Sequence, residues 1–180
     1  MFYERFCALC TPMRVERVTL DNLSRVMALF ASNPDYFSCV QSHPVDADEC
    51  KADITMLPPG KTLAVKTYML VSDEHGDLAV IDFVERYPDD MTGYLGFLIV
   101  SGNRRGHGAG TQLLSMIEQA ASACGLSRIE LGCYETNTSG MAFWKGSGFS
   151  PIRNSKRETD RIVYTIVSME KHIETEKVPE

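Results

Sequence analysis

The sequence predicts an α/β (α+β) fold with a mixed, mostly antiparallel central sheet of about six to seven strands flanked by helices. Apolar residues recur with strand-like and helix-like spacing in the order β-α-α-β-β-β-α-β-α-β-β. The strand, helix, strand unit over residues 93–135 requires a parallel crossover, because parallel neighbours cannot be joined by a short turn. The three strands that end at residue 100 follow one another through short polar turns and suit antiparallel pairing. Both kinds of pairing are therefore expected in one sheet.

Local signals place the individual elements. Asp21 is a suitable N-cap for the first helix, and Asn33-Pro34 ends it. Asp46 or Asp48 caps the second helix, which ends at Pro58-Pro59-Gly60. In chain order we expect a strand at 13–20, helices at 21–33 and 46–57, strands at 62–72, 78–86 and 93–100, a helix at 110–124, a strand at 127–135, a short helix at 139–146 and a hairpin at 150–157 and 160–169.

Length and the two chain ends indicate the domain organisation. A chain of 180 residues with 44% hydrophobic content suits a single domain with its own core. Residues 1–12 show no clear period, so we expect an N-terminal extension there, followed by one domain over residues 13–170. The polar residues 171–180 are expected to form a flexible tail.

Charge and cysteine content exclude several functional classes. The chain has 18 Lys and Arg against 24 Asp and Glu, a net charge of -6, which has the wrong sign for a general nucleic-acid or anionic-membrane binder. No apolar run approaches the roughly 20 residues of a membrane-spanning helix. The six cysteines are scattered, which favours reduced thiols and a cytoplasmic location. Cys7 and Cys10 form a C-x-x-C without a second pair, so no metal site is expected.

A glycine-rich segment gives the strongest functional signal. It runs from Asn103 to Leu114, between the apolar strand 93–100 and an amphipathic helix. Glycines at three alternate positions allow a tight turn and a close backbone approach to a ligand, while the unpaired amides of the helix start attract an anion such as diphosphate. A dinucleotide fingerprint would need glycine at Thr111, and a Walker A loop would need lysine before it. The alternative is a glycine-rich connection that binds nothing.

The C-terminal half resembles the GCN5-related N-acetyltransferase (GNAT) superfamily. Arg105-x-x-Gly108-x-Gly110 is similar to that family's acyl-CoA pyrophosphate motif, Q/R-x-x-G-x-G/A. A second stretch, with Asn137, Ala142, Phe143, Trp144 and Gly148-Phe149, resembles the family segment N-x-x-A-x-x-(F/L)-Y-x-x-x-G-F, although Gly140 stands at the small position. The resemblance extends over about residues 14–170, with motif-level similarity over 93–149.

The resemblance implies an acetyl-CoA site. Backbone amides of the glycine loop would bind the CoA diphosphate, the end of the apolar strand would pair with the pantetheine arm, and Asn137 would contact that arm. The candidate cofactor residues are Leu98, Ile99, Val100, Arg104, Arg105, Gly106, His107, Gly108, Ala109, Gly110, Thr111, Asn137, Phe143 and Trp144. Leu98, Ile99 and Val100 are expected to serve the core as well.

The reaction implied is direct attack of an amine on the acetyl thioester, which requires a base because an ammonium is not a nucleophile. Asp82 and Glu85 are the candidates, and strand alternation places them on opposite faces, so at most one can act. Asp82 is favoured because an apolar strand interior is an unusual place for a charge, and a paired structural carboxylate is the alternative. The family often has a tyrosine acid where this chain has Trp144, so Tyr134 is the candidate acid or a structural tyrosine.

The acceptor is expected to be a primary amine of a small molecule, in a monomer or homodimer. Tyr36, Phe37 and Tyr94 are the candidates for the acceptor wall, with core packing as an equal explanation. The excess of carboxylates favours a cationic acceptor. Two alternatives stay open, namely an acyl-CoA-binding regulatory module without turnover and an acetyltransferase acting on a protein or peptide amine.

Overall fold

The computed structural model describes residues 1–159 and 161–174. Over these residues the helices are α1 (Phe2–Leu9), α2 (Leu23–Ala31), α3 (Pro34–Val40), α4 (Ala47–Thr55), α5 (Ala109–Ala123) and α6 (Thr138–Gly146). The strands are β1 (Arg14–Arg17), β2 (Lys66–Asp73), β3 (Gly76–Glu85), β4 (Thr92–Val100), β5 (Arg128–Tyr134), β6 (Ser150–Thr159) and β7 (Ile162–His172).

All of these strands belong to one sheet, in the spatial order β1-β2-β3-β4-β5-β7-β6. Neighbouring strands are antiparallel except β4 and β5, which are parallel and are joined by the crossover helix α5. The predicted mixed, mostly antiparallel sheet is therefore confirmed.

Helices cover both faces of the sheet, and each face has its own apolar core. On the α5 face, α1, α5 and α6 pack against side chains such as Phe83 and Leu131. On the α2 face, α2, α3 and α4 pack against side chains such as Leu70 and Val80. Because successive strand residues alternate between the faces, each residue of the central strands can be assigned to one of them.

The first dozen residues differ from the expectation of an extension. They form α1, in which Phe2 and Phe6 are fully buried, and the Phe2 ring stacks on Phe83 at 4.0 Å between centroids. The helix packs on α5. The two phenylalanines are four residues apart on one short helical face, too short a run to show a period in the sequence alone.

Other boundaries differ locally. An additional helix, α3, begins at Pro34, because proline at the first turn of a helix is as compatible as proline after the end of one. Asp46 caps α4 in a reciprocal capping box with Glu49, as expected, whereas Asn22 rather than Asp21 precedes α2. Residues 171–174 of the expected tail are ordered, with Lys171 and His172 in β7, and residues 175–180 lie outside the described residues.

Replacing Phe6 by alanine should destabilise the protein by about 3–5 kcal/mol, because it removes a fully buried ring between α1 and the sheet. Leu9, 36% exposed on the same helix, is the matched control, and Leu9→Ala should change stability by no more than about 0.5 kcal/mol. Urea unfolding measures both. Equal stability of the two variants would show that α1 is not part of the core.

Candidate active site

The β4 and β5 strands part at their carboxyl ends. Their parallel pairing ends at Leu95 and Leu131, although β4 continues to Val100 and β5 to Tyr134. Against β3, the register of β4 shifts so that Gly96 is an extra residue, which makes a β-bulge. A bulge bends its strand, and here it turns β4 away from β5. The gap opens into a cavity of about 840 Å³.

The cavity crosses the sheet from one face to the other. Its wall consists of the glycine loop and α6 on the α5 face, the parted strands in the middle and the start of α3 on the α2 face. The predicted residues that line it are Tyr36, Leu98, Ile99, Val100, Arg105, Gly106, Gly108, Gly110, Thr111, Tyr134, Asn137, Phe143 and Trp144. Lining residues that were not predicted include Gly96, Phe97, Gly132 and Cys133.

The glycine loop turns the chain from β4 into α5. Gly106 and Gly108 have φ angles of 80° and 84°, in the left-handed region that favours glycine, and α5 begins directly afterwards. The first amides of α5 therefore lie at the cavity with no intrahelical acceptor, together with the positive end of the helix dipole. Arg105 is exposed beside them and forms no ion pair within residues 1–159 and 161–174. This end of the cavity is suited to an anion.

Three of the other predicted loop residues have different positions. Arg104 points away from the cavity and forms an ion pair with Asp73 at 2.6 Å, so its charge is already compensated. His107 and Ala109 do not line the cavity, and the exposed His107 ring has its Nδ1 2.9 Å from the carbonyl oxygen of Arg105. The local positive charge is thus carried by Arg105 and the amides rather than by two arginines.

Asn137 orders the start of α6 at the cavity wall. Its Oδ1 accepts a hydrogen bond from the Gly140 amide at 3.0 Å, as an N-cap does. A Cβ at residue 140 would lie 2.4 Å from Asn137 Nδ2, which explains physically why glycine stands there. One turn later, Phe143 and Trp144 pack edge to face at 4.8 Å and line the cavity.

Asp82 lies on the α2 face, directly behind Gly96. Its Oδ2 accepts a hydrogen bond from Lys66 Nζ at 2.8 Å, and a Cβ at residue 96 would lie only 2.9 Å from the same oxygen. Burial raises the pKa of Asp82, and the neighbouring Lys66 ammonium acts in the opposite direction. The carboxylate is paired, as the structural alternative requires, and Gly96 beside it lines the cavity.

Glu85 lies on the α5 face of the sheet, opposite to Asp82, as strand alternation predicts. Its Oε1 accepts a hydrogen bond from the Phe2 amide at 3.0 Å, which satisfies an unpaired donor at the start of α1. It is not a cavity residue. The structure therefore corrects the assignment of Glu85 as a candidate base and gives it a role in anchoring α1.

The predicted acceptor wall is also corrected. Tyr36 lines the cavity, but Phe37 packs on Phe30 at 5.2 Å and Tyr94 packs edge-on against Tyr87 at 5.5 Å, both outside the cavity wall. Asp35, next to Tyr36, also lines the cavity. No sequence signal separates the one aromatic residue of α3 that faces the cavity from the one that faces the core.

A comparison with sequence models of protein families identifies the family of this chain. Residues 30–149 match the sequence model of the acetyltransferase (GNAT) family. This chain belongs to that family. A search among curated protein sequences finds no significant match.

Solved structures show the GNAT fold in this chain. An acetyltransferase from Thermus thermophilus superposes with a TM-score of 0.70 at 20% identity, covering 91% of this chain and 99% of that one. The ribosomal-protein-S18-alanine N-acetyltransferase of Escherichia coli gives 0.65 at 11% identity, with 92% and 96% covered. A spermidine N-acetyltransferase from Vibrio cholerae, solved with CoA and spermine, gives 0.66 at 13% identity, with 89% and 95% covered.

In this GNAT protein, Tyr134 at the end of β5 lines the cavity. Arg157 of β6 donates a hydrogen bond from Nη1 to Tyr134 Oη at 3.0 Å. Because a guanidinium has no acceptor, Tyr134 must be the acceptor in this bond, and its own proton stays available to a different partner.

The Cys133 thiol in the cavity wall is not suited to act as a nucleophile. Burial raises the pKa of the Cys133 thiol to about 11, so it is protonated at neutral pH and unsuited to attack a thioester.

Within the described ranges, no group of three or more His, Cys, Asp or Glu side chains is arranged to hold a metal ion. No helix in the described part of the chain is both long and apolar enough to cross a bilayer.

Asp53 of α4 is a functional candidate that sequence reasoning missed. Burial is the main cause that raises its pKa from 3.8 to about 6, the Asp82 carboxylate raises it further, and Lys66 lowers it. It therefore belongs electrostatically to the Asp82 site. No motif marks it, because it is one of several acidic residues on a polar helix.

Asp53→Asn should stabilise the protein at about pH 8 but not at about pH 4. With its pKa raised to about 6, the folded protein holds this proton more tightly than the unfolded chain does, so stability falls as the pH rises from about 4 to 6. The gain at high pH should be on the order of 1 to 2 kcal/mol, allowing for partial exposure.

Urea unfolding at both pH values measures this effect. Asp48→Asn, at an exposed position of the same helix, is the control for charge removal. An Asp53→Asn variant that loses stability at high pH would contradict the assignment.

Proposed function

We propose that this GNAT protein transfers the acetyl group of acetyl-CoA to a primary amine of a small molecule. One observation carries the proposal. A single cavity joins the start of α5, on one face, to the gap between β4 and β5 and to an opening lined by Asp35 and Tyr36 on the other face. Such a path can admit a long anionic thioester from one side and an amine from the other.

The free thiols favour a cytoplasmic setting.

The residues at the α5 end fit a diphosphate. Side chains at Gly106 and Gly108 would be strained by the positive φ angles, and their absence leaves the loop amides open. Arg105 adds an uncompensated charge, which suits a charge-assisted hydrogen bond to phosphate. The diphosphate is negatively charged and common to acyl-CoA molecules. Its charge is therefore complementary to the positive charge at the α5 end of the cavity.

The parted strand β4 fits the amide-containing arm of the ligand. Beyond Leu95 its edge facing β5 makes no strand pairing, although its other edge pairs with β3 as far as Val100. An extended ligand with amide groups can hydrogen-bond to such a free strand edge. The backbone of residues 98–100 would hold it, while Phe143 and Trp144 form the apolar wall opposite.

Acetyl-CoA, when bound, supplies the activated thioester carbonyl. The residues of this chain orient the thioester along β4, keep the acceptor amine on the α2 face and remove its proton. Asp82, beside Gly96, is the candidate base on that face, since burial raises its pKa and a raised pKa favours proton uptake.

Tyr134 is the candidate acid for the departing thiolate. Trp144, at the position where the family often has tyrosine, has only an indole N–H and cannot deliver a proton near neutral pH. The hydrogen bond from Arg157 orients the Tyr134 hydroxyl and places a positive charge where a phenolate would form. A structural hydrogen bond is the alternative for this pair.

The acceptor end favours a cationic small molecule. Asp35 and Tyr36 line the opening, and the chain as a whole carries a charge of -6. A spermidine N-acetyltransferase and a ribosomal-protein-alanine N-acetyltransferase share the fold at similar TM-scores, so fold likeness does not choose between a small amine and a protein terminus.

Calorimetry with acetyl-CoA, followed by thiol release with a panel of primary amines, tests the proposal. We expect the protein to bind acetyl-CoA and to release thiol only when one class of cationic amine is present. Binding without release for any amine or basic peptide would instead support a regulatory acyl-CoA-binding module. No binding at high protein concentration would overturn both.

Arg105→Gln should weaken acetyl-CoA binding by about 3- to 10-fold, because it removes one exposed phosphate contact. Arg5→Gln removes the same charge from an exposed position on α1 and should leave the affinity unchanged. Calorimetry at low and high salt measures both variants. Equal weakening in the two variants would mean that only overall charge, and not the loop, attracts the ligand.

A further inference from the structure

Three charged side chains from three elements lie on the α2 face of the sheet. Lys66 of β2 and Asp82 of β3 form an ion pair with side chains only 3% and 12% exposed. Asp53 of α4 lies one helical turn after Cys50, and Asp82 and Lys66 shift its pKa in opposite directions. The α4 helix packs over this part of the sheet, with Cys50 fully buried beside Tyr68 in the same core. This group is called the carboxylate–lysine cluster below.

We propose that Asp53, Lys66 and Asp82 act together as the proton acceptor for the ammonium of the incoming amine. The inference rests on the acetyl transfer proposed above and assigns its base to a cluster rather than to one carboxylate. Asp53 and Lys66 thereby gain roles that no motif indicates.

Charge balance is the first argument. Two carboxylates and one ammonium carry a net charge of -1, and a buried net charge is unfavourable. Taking up one proton makes the cluster neutral. Asp82 with Lys66 alone would instead become net positive when protonated, so Asp53 is what makes proton uptake favourable. Two carboxylates that share one proton also titrate as a unit.

Access is the second argument. Gly96, at the β-bulge, is exposed and lines the cavity, and a Cβ on it would lie 2.9 Å from Asp82 Oδ2, so this carboxylate oxygen packs against a residue of the cavity wall. Asp82 Oδ1 and Tyr68 Oη are buried polar atoms without a hydrogen-bond partner in the described residues, and Tyr68 lies directly opposite Asp82 in the β2–β3 register. Buried polar atoms are normally satisfied, often by water, so this site can hold a proton-carrying water.

The remaining groups around Asp82 do not compete for the proton. Burial raises the pKa of Tyr68 and Tyr94, and it raises the pKa of Cys50 to about 11, so these groups are neutral near pH 7. Further out, Glu130 is paired with Arg153 at 3.3 Å. Glu49 raises and Arg157 lowers the pKa of Asp53, each less than Asp82 and Lys66 do.

Protons and electrons balance in the transfer step. The ammonium gives one N–H proton to the cluster, and the freed lone pair forms a C–N bond to the thioester carbonyl carbon as the C–S bond breaks. A second N–H proton ends on the departing sulfur. The products are an N-acetyl amide, CoA as a thiol and one proton, which the cluster returns to solvent.

Opposite pH shifts distinguish the cluster from a single base. Asp53→Asn removes a negative neighbour, so the pKa of Asp82 should fall and the acidic limb of kcat/KM for the amine should move to lower pH. Lys66→Met removes a positive neighbour and should move the limb to higher pH. Each shift should be at least about half a pH unit, a threefold change in proton affinity.

Two measurements on the full chain test these shifts. Carbon-13 NMR of the aspartate carboxyls follows titration without any ligand, and the pH dependence of thiol release with the best amine of the panel follows catalysis. Asp48→Asn, exposed on α4, is the matched control and should move neither. Asp53→Asn is expected to fold well, which keeps the test valid should Lys66→Met unfold the protein.

The outcomes separate the two levels of inference. Opposite shifts in both measurements support the cluster. If the carboxyl titrations are unchanged by the Asp53 and Lys66 substitutions, the cluster proposal is overturned. This holds even where an amine is acetylated and the proposed function stands. Coupled titrations without acetylation of any amine overturn the proposed function and the catalytic role of the cluster together.

Discussion

The parting of β4 from β5 after Leu95 and Leu131 is the constraint on which the rest of the site depends. These strands form the parallel pair of an otherwise antiparallel sheet, so their connection must cross over as a helix, and α5 begins where β4 ends. Had the strands stayed paired to their ends, the sheet would be closed there and β4 would have no free edge for a ligand. The bulge at Gly96 opens the gap and at the same time exposes the main chain in front of Asp82. One local irregularity thus accompanies both the cavity and the close packing of its wall against a buried carboxylate.

Charge is separated along the cavity rather than across the whole surface. The chain carries a net charge of -6, yet the α5 end presents Arg105 and unpaired amides, while the α2 end presents Asp35 and, behind Gly96, the carboxylate–lysine cluster. The pairing of Arg104 with Asp73 limits the positive region to one arginine and the helix start. This separation of charge supports the proposal of an anionic donor and a cationic acceptor at opposite ends of one path.

The candidate site was predictable to the extent that its residues lie in one local segment. Gly106, Gly108 and Gly110 lie in a contiguous loop whose backbone requirements show in the sequence, and Asn137 lies at a cap whose hydrogen bond is local. Strand alternation placed Asp82 and Glu85 on opposite faces, but the contact of Glu85 with the Phe2 amide joins residues 83 positions apart. Lys66 and Asp53 were missed because each looks ordinary in its own segment. Their meaning comes from being close to Asp82.

The sequence by itself determined the succession of strands, the helices α2, α4, α5 and α6, the mixed sheet, the glycine loop and the acidic balance of the chain. These features follow from periodicity, turn chemistry and composition, all of which are local. Tertiary structure decided that α1 belongs to the core, which of two aromatic residues of α3 faces the cavity, and which arginine is already neutralised. It also decided that Lys66 and Asp82 form a buried ion pair. These outcomes depend on packing between segments distant in the chain, where burial and charge compensation act only after the fold has formed.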